Sequence, residues 1–222
     1  MMHVHWLYRF WQRSWRVRQN KPRMCVMVDA SSVAVLVLGA GAGSRYTDGD
    51  KLNAMLGTKP VAHHILQVLN GFSWGKRIVT CRSFAPWTNA YADAGFTLAL
   101  TEDVEAGMLG SLHRGLAEIQ AQPRVLICLA DMPLVPHSHI EHLLHLAAHS
   151  TAPVIASSSG DYSGPPALCM TEHLRNLPLA GEGGARSLLP QAEFAEMAAP
   201  AFADIDTMTD FEQIRQILQA SL

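Results

Sequence analysis

The chain is defined first by what it does not contain. Its 222 residues include no Gly-Lys-Ser or Gly-Lys-Thr tripeptide, which excludes a Walker-type phosphate loop. No apolar run approaches the ~18 residues of a membrane span. Cysteine is sparse: Cys25, Cys81, Cys128 and Cys169 are scattered and form no C-x-x-C pair. Most lie in or beside apolar, strand-like runs, and they read as reduced thiols of a cytoplasmic protein, not as a zinc site or disulfide framework. No Ser-His-Asp or Cys-His arrangement can be placed, so side-chain nucleophilic catalysis has no candidate. The first residues lack the apolar core and cleavage site of a secretory signal.

The formal charge of −2 hides an asymmetry. Residues 1–28 carry Arg9, Arg13, Arg16, Arg18, Lys21 and Arg23 and no acid. Setting those six aside leaves 11 cations against 19 acids, a body at −8. An acidic body argues against a nucleic-acid partner. Within the basic segment, Leu7, Phe10, Trp11 and Trp15 would share one face of a helix opposite Arg9, Arg13 and Arg16, a pattern suited to a membrane surface or a partner. The alternative, taken as the expectation, is a start at Met24 or Met27. Residues 1–31 are therefore set apart as a basic extension, and 32–222 are expected to form one domain. Hydrophobic content of 49% and a mean hydropathy of +0.09 suit one well-buried domain at this length.

What the chain does contain is concentrated at Val33-Ala-Val-Leu-Val-Leu-Gly-Ala-Gly-Ala-Gly-Ser-Arg45. A strand apolar on both faces empties into a glycine loop, then meets Arg45 and, shortly after, Lys51. Gly39, Gly41 and Gly43 let backbone N–H groups come close to a ligand, and N–H groups followed by cations suit a polyphosphate. A dinucleotide fingerprint fits less well. The glycine spacing is wrong, no helix opens directly, and the region about 20 residues on, Lys59-Pro-Val-Ala-His63, has no carboxylate. A plain glycine-rich turn would not need two cations after it.

Strand-like and helix-like stretches alternate from Val33 onward. Strands are expected at Val33–Leu38, Arg77–Cys81, Phe96–Leu100, Val125–Leu129, Val154–Ser157 and Pro166–Met170. Helices are expected from Pro60 to Leu69, then at Trp87–Ala94, Ser111–Ile119, His137–His149 and Thr209–Leu218, with Thr209 and Glu212 as a capping box. The alternation predicts a single-domain α/β fold: a mostly parallel, Rossmann-like sheet with helices on both faces. Ligands of such sheets bind beyond the strands' carboxyl ends. Asp131 ends one apolar strand, and alternation in Asp204-Ile-Asp206 points both carboxylates to one side. Asp131 and Asp206 are candidates for Mg²⁺ beside nucleotide phosphates, with helix capping as the competing role. His142, His145 and His149 are expected on a solvent face, not as metal ligands, and Trp74 and Trp87 as packing residues.

Seven segments together resemble the MobA-like nucleotidyltransferases, and most closely the molybdenum cofactor cytidylyltransferase branch. They are Leu38-Gly-Ala-Gly-Ala-Gly-Ser-Arg45 with Lys51, Leu56-Gly-Thr-Lys-Pro60, Gly107-Met-Leu-Gly-Ser-Leu112, Leu129-Ala-Asp-Met-Pro133, Gly164-Pro-Pro-Ala-Leu168, Gly181-Glu-Gly-Gly-Ala-Arg186 and Asp204-Ile-Asp-Thr207. The resemblance runs from Val33 to about Leu218. It implies a sheet of the nucleotide-diphospho-sugar transferase type and transfer of NMP, CMP from CTP, to a phosphorylated acceptor such as molybdopterin, with Mg²⁺ as cofactor.

It also implies that Leu38, Gly39, Ala40, Gly41, Gly43, Ser44, Arg45 and Lys51 bind the nucleotide together with Gly107, Met108, Ser111 and Asp131. Arg45, Lys51 and Asp131 would be catalytic, and Asp131 and Asp206 would bind the metal. Gly164, Pro166 and Arg186 would bind the acceptor, with Arg186 reaching an anionic group. Leu109, Gly110, Pro165 and Glu182 depart from the family's usual residues, mostly on the acceptor side. Related readings are a GTP-using enzyme, a sugar- or alcohol-phosphate acceptor, an NAD(P)-dependent oxidoreductase, and a non-catalytic nucleotide-binding partner of a molybdoenzyme.

Overall fold

The computed structural model describes residues 26–41, 46, 49–101 and 106–220. The amphipathic segment and most of the basic extension lie outside these residues, as do Gly43, Ser44 and Arg45. Among the described residues no helix is long and apolar enough to cross a membrane.

The strands are β1 (Val33–Leu38), β2 (Met55–Leu56), β3 (Lys59–Pro60), β4 (Lys76–Cys81), β5 (Thr97–Leu100), β6 (Arg124–Leu129), β7 (Val154–Ser159), β8 (Tyr162–Met170) and β9 (Ala192–Glu196). The helices are α1 (Val61–Leu69), α2 (Pro86–Asp93), α3 (Gly107–Leu116), α4 (His137–Ala147), α5 (Thr171–Arg175) and α6 (Met208–Ala220). Seven strands form one sheet in the order β5-β4-β1-β6-β8-β7-β9. All neighbours run parallel except β8, which is antiparallel to both β6 and β7.

β1 is central because Val33 to Val37 are fully buried, with apolar side chains needing cover on both faces. Val33, Val35 and Val37 face a core built with α1, α2, α4 and α6, while Ala34 and Leu36 face α3 and the 3₁₀ segment Gly184–Gln191. Helices thus cover both faces, as the alternation predicts. The expected strands are all present. β9 and the short β2–β3 hairpin were not foreseen: β9 is an edge strand with only Ala195 fully buried, and β2 and β3 hold two residues each.

Several boundaries differ from expectation, among them the start of β8 at Tyr162 instead of Pro166, and two of them shape the site. α3 starts at Gly107, not Ser111, since Gly107 at φ 63° turns the chain into the helix. α6 is capped two residues earlier than expected: the Thr207 N–H donates to Asp210 Oδ2 at 2.7 Å, and the Asp210 N–H donates back to Thr207 Oγ1 at 3.2 Å. Near the start, the Val28 N–H donates to the Leu144 carbonyl at 3.0 Å, tying the chain to α4 before β1 begins.

Candidate active site

The carboxyl ends of β1, β4, β5 and β6 open into a cleft of about 810 Å³. Its first flank is mostly backbone. β1 runs out at Leu38, and the Gly39 N–H donates to the Thr80 carbonyl at 3.0 Å. A Cβ on Gly39 would lie 2.6 Å from the Trp87 ring and 3.0 Å from that carbonyl, so only glycine fits here. Trp87, 3% exposed, is thus a packing residue beneath the loop. Gly39 and Gly41 are not among the positive-φ glycines; close approach, not a left-handed backbone, is what Gly39 supplies. Farther along this flank, a Cβ on Gly107 would meet Glu182 Oε1 at 2.7 Å, and the Leu109 N–H donates to the Gly181 carbonyl at 2.9 Å. These bonds bring Gly181–Gly184 against the start of α3.

The second flank is charged. Asp131 stands two residues past the end of β6, and its carbonyl accepts from the Ile205 N–H at 3.0 Å, which brings Asp204 and Asp206 alongside. Ile205 is fully buried while both flanking carboxylates line the cleft, as alternation predicts. Lys51 is held over them by a turn in which Asp50 accepts from the Leu52 N–H at 3.0 Å and from Asn53 Nδ2 at 2.7 Å.

Lys51, expected at the triphosphate, is a buried residue at 8% exposure. Its ammonium donates to Asp131 Oδ2 at 2.6 Å, the Ile205 carbonyl at 2.7 Å and Asp206 Oδ1 at 3.2 Å. Those bonds use all three donors of an ammonium. Burial alone would lower its pKa, but the Asp131 charge and hydrogen bond, with Asp206 adding to them, leave it raised. Asp204 has its pKa raised, by burial first and then by the Asp131 and Asp206 charges. Asp131 Oδ1 is buried without a hydrogen-bond partner among the described residues. Helix capping does not explain these acids: α4 has no side-chain cap, and Thr207 with Asp210 caps α6.

Leu38, Gly39, Ala40, Gly41, Lys51 and Gly107 line this one cleft, as do Met108, Ser111, Asp131, Gly164, Arg186 and Asp206. Pro166 does not. It is buried in β8, its carbonyl accepts from Ser157 Oγ at 2.5 Å, and Pro165 faces the cleft instead. The antiparallel return of β8, which the sequence did not signal, sets that alternation.

Arg82, Thr101 and Tyr162 also line the cleft and were missed. Arg82 and Thr101 directly follow β4 and β5, so position after a strand was the available signal. Tyr162 donates its hydroxyl to the Pro165 carbonyl, and its pKa is raised by burial and then by Asp204. Among the histidines, His142 and His149 are exposed and His145 is half-buried. No cluster of three metal-binding side chains occurs among the described residues. His139 is fully buried, with Nε2 2.7 Å from Ser157 Oγ.

A family model for the MobA-like NTP transferase domain matches residues 35–196. Among curated proteins, none matches the chain by sequence. Solved structures share the fold. Rv0371c of Mycobacterium tuberculosis H37Rv in complex with manganese aligns at TM-score 0.65 and 19% identity, covering 83% of this chain and 98% of that one. The molybdopterin-guanine dinucleotide biosynthesis protein A of Archaeoglobus fulgidus aligns at 0.61 and 20%, covering 84% of this chain and 99% of that one. A CMP:2-keto-3-deoxy-manno-octonic acid synthetase complexed with CTP aligns at 0.63 and 17%, covering 85% and 99%.

Proposed function

This chain belongs to the MobA-like NTP transferase family, and we propose that it transfers CMP from CTP to a phosphorylated acceptor such as molybdopterin, with Mg²⁺ as cofactor. The observation that carries this reading is the single cleft in which a glycine loop faces Asp131 and Asp206. An oxygen of the acceptor phosphate attacks the α-phosphorus, the bond to the bridging α–β oxygen breaks, and pyrophosphate leaves. The attacking oxygen is already anionic, so no general base is needed. The protein's task is in-line positioning and charge neutralisation.

Asp131 and Asp206 would hold the divalent ion, and the unpartnered Asp131 Oδ1 is the oxygen left over for it. When bound, the ion supplies screening between two anions and stabilises the leaving group. Lys51 neutralises the carboxylate pair in the free protein and keeps a positive charge at the phosphate end of the cleft. Leu38 to Gly41 bring main-chain groups to the phosphates, and Arg45 is assigned to the same phosphates. On the far side, Gly164 leaves room for the acceptor beside the Tyr162 hydroxyl, and the exposed Arg186 guanidinium meets its phosphate. The transferase unit is placed at 32–222, in the cytoplasm, with 1–31 as an appended basic segment.

Pyrophosphate release tests the reading. With Mg²⁺ and molybdopterin, CTP should give release above the acceptor-free level. Absence of release with all four NTPs across molybdopterin, sugar-phosphate and alcohol-phosphate acceptors would overturn it. Stabilisation by NAD(P)H with no effect of any NTP would point to a reductase instead.

A further inference from the structure

We propose that a depression at the opposite end of β6 from the cleft is a second anion site, and that it takes a phosphate group, free or esterified. The proposal goes beyond the nucleotide reading and does not depend on it. The depression, about 650 Å³, lies between the 120–123 turn, the start of β6, the last residue of β8 and α5. Arg124 is the first residue of β6, and Asp131 stands two residues past its last. At strand spacing the step between them is roughly 20 Å, so Arg124 is remote from the carboxylates of the cleft.

Hydrogen bonds fasten its walls. The Thr171 N–H donates to the Pro123 carbonyl at 2.9 Å, and Thr171 Oγ1 donates to the Gln122 carbonyl at 2.7 Å. Arg175 Nη2 donates to the Ile119 carbonyl at 2.7 Å, which holds its guanidinium at the rim. Arg124 is less well satisfied: its Nη1 is buried and has no hydrogen-bond partner among the described residues. Neither arginine forms an ion pair among those residues. Burial pulls the Arg124 pKa down, because its charge is held away from water with no carboxylate to offset the loss. A cationic N–H left buried and unpaired costs stability until an anion supplies the missing acceptor.

The chemistry of the lining selects the anion. A guanidinium has donors only, in a planar fork that matches two oxygens of a phosphate or a carboxylate. Two guanidiniums on one depression balance a phosphate dianion, whereas a monocarboxylate leaves one of them unmatched. Glu172 is the single carboxylate on the lining; its side chain is 77% exposed and lies 3.7 Å from His173 Nδ1. Gln120, Gln122 and Asn176 add neutral polar groups, so the lining suits a small polar ligand better than an apolar one.

The test is titration of inorganic phosphate, phenyl phosphate and acetate into the isotope-labelled full chain, read by amide NMR shifts, for wild type, Arg124→Gln and Arg175→Gln. Phosphate can also enter the nucleotide cleft, so the sites are read apart: amides of 120–124 and 170–176 report the depression, and those of 38–41 report the cleft. In wild type both phosphates should shift the first group saturably, and the tighter of the two tells whether the free or the esterified form is preferred. Each variant should weaken that response about 10- to 100-fold and leave the cleft response unchanged. Acetate should bind the depression at least about 10-fold more weakly than phosphate. No saturable shift there in wild type, or one that both variants keep, would overturn the site; acetate equal to phosphate would overturn the ligand class. Urea unfolding of Arg124→Met gives a second readout. Without phosphate this variant should be at least as stable as wild type, having lost an unpaired buried charge, and phosphate should raise the midpoint of wild type more. Equal phosphate effects on the two proteins would contradict the proposal. Nucleotide transfer, at the other end of β6, stands or falls separately.

Discussion

The two flanks of the cleft are made of different materials. On the side of β1 and α3, main chain and glycine dominate, and fit is set by how closely atoms approach: Gly39 against Trp87, Gly107 against Glu182. On the side of β6, side-chain charge dominates, with Lys51 bonded to both Asp131 and Asp206. A flank built from backbone should tolerate changes of charge and fail on added volume. A flank built from charge should do the reverse.

The largest expected effect lies on the charged flank. Asp131→Ala should lower pyrophosphate release by about 10³-fold or to background while the circular dichroism spectrum stays native; near-normal turnover would remove Asp131 from the metal site. Lys51→Met should cost on the order of 100-fold in the same assay. It should also lower Tm in metal-free buffer, because two carboxylates then face each other without a cation, and Mg²⁺ should recover more of that loss than in wild type. Equal Mg²⁺ effects on both proteins would break the claim that ammonium and ion act on one carboxylate pair.

On the backbone flank, Gly39→Ala should destabilise the protein by about 1–3 kcal/mol in urea, since a Cβ 2.6 Å from Trp87 forces the ring to move. A change of a few tenths would show the loop to be looser than described. The smallest effect is a pH dependence behind the charged flank. Ser157 donates to the Pro166 carbonyl, so His139 Nε2 carries the proton and donates to Ser157 Oγ, leaving Nδ1 unpaired. Burial first, and then His142, lower the His139 pKa from 6.5 to about 4. The depressed value means that His139 stabilises the fold above pH 6.5 and that this contribution is lost as pH falls toward 4. Its slope is at most about 1.4 kcal/mol per pH unit. His139→Gln should flatten the dependence of the urea midpoint on pH across that window, and a parallel dependence in both proteins would contradict the assignment.

The same contrast explains what could be read from the sequence. β1 and β6 were legible because uninterrupted apolar runs announce buried strands, and Asp131 because a carboxylate follows the end of one. Asp206 lies in an irregular segment between β9 and α6, where only its alternation with Ile205 and Asp204 marked it. The glycines marked the loop, but their spacing did not say which needed close approach. The bonds of Lys51 to Asp131 and Asp206 were not legible, since spacing along the chain does not say which way a long side chain turns. Pro166 was misassigned because inward and outward positions on β8 depend on its antiparallel pairing, which has no local signature. β9 escaped notice because an edge strand with one fully buried residue has no hydrophobic pattern to find. Arg82 and Thr101 belong to neither motif, and only the pairing of β4 with β5 brings them together.

The most direct test of the central claim is an electron paramagnetic resonance titration of Mn²⁺ in the presence of CTP. The account predicts that wild type sequesters Mn²⁺ together with the nucleotide, and that the Asp131→Ala/Asp206→Ala double variant leaves it free. Equal Mn²⁺ binding by both proteins, or none by wild type with CTP present, would contradict it.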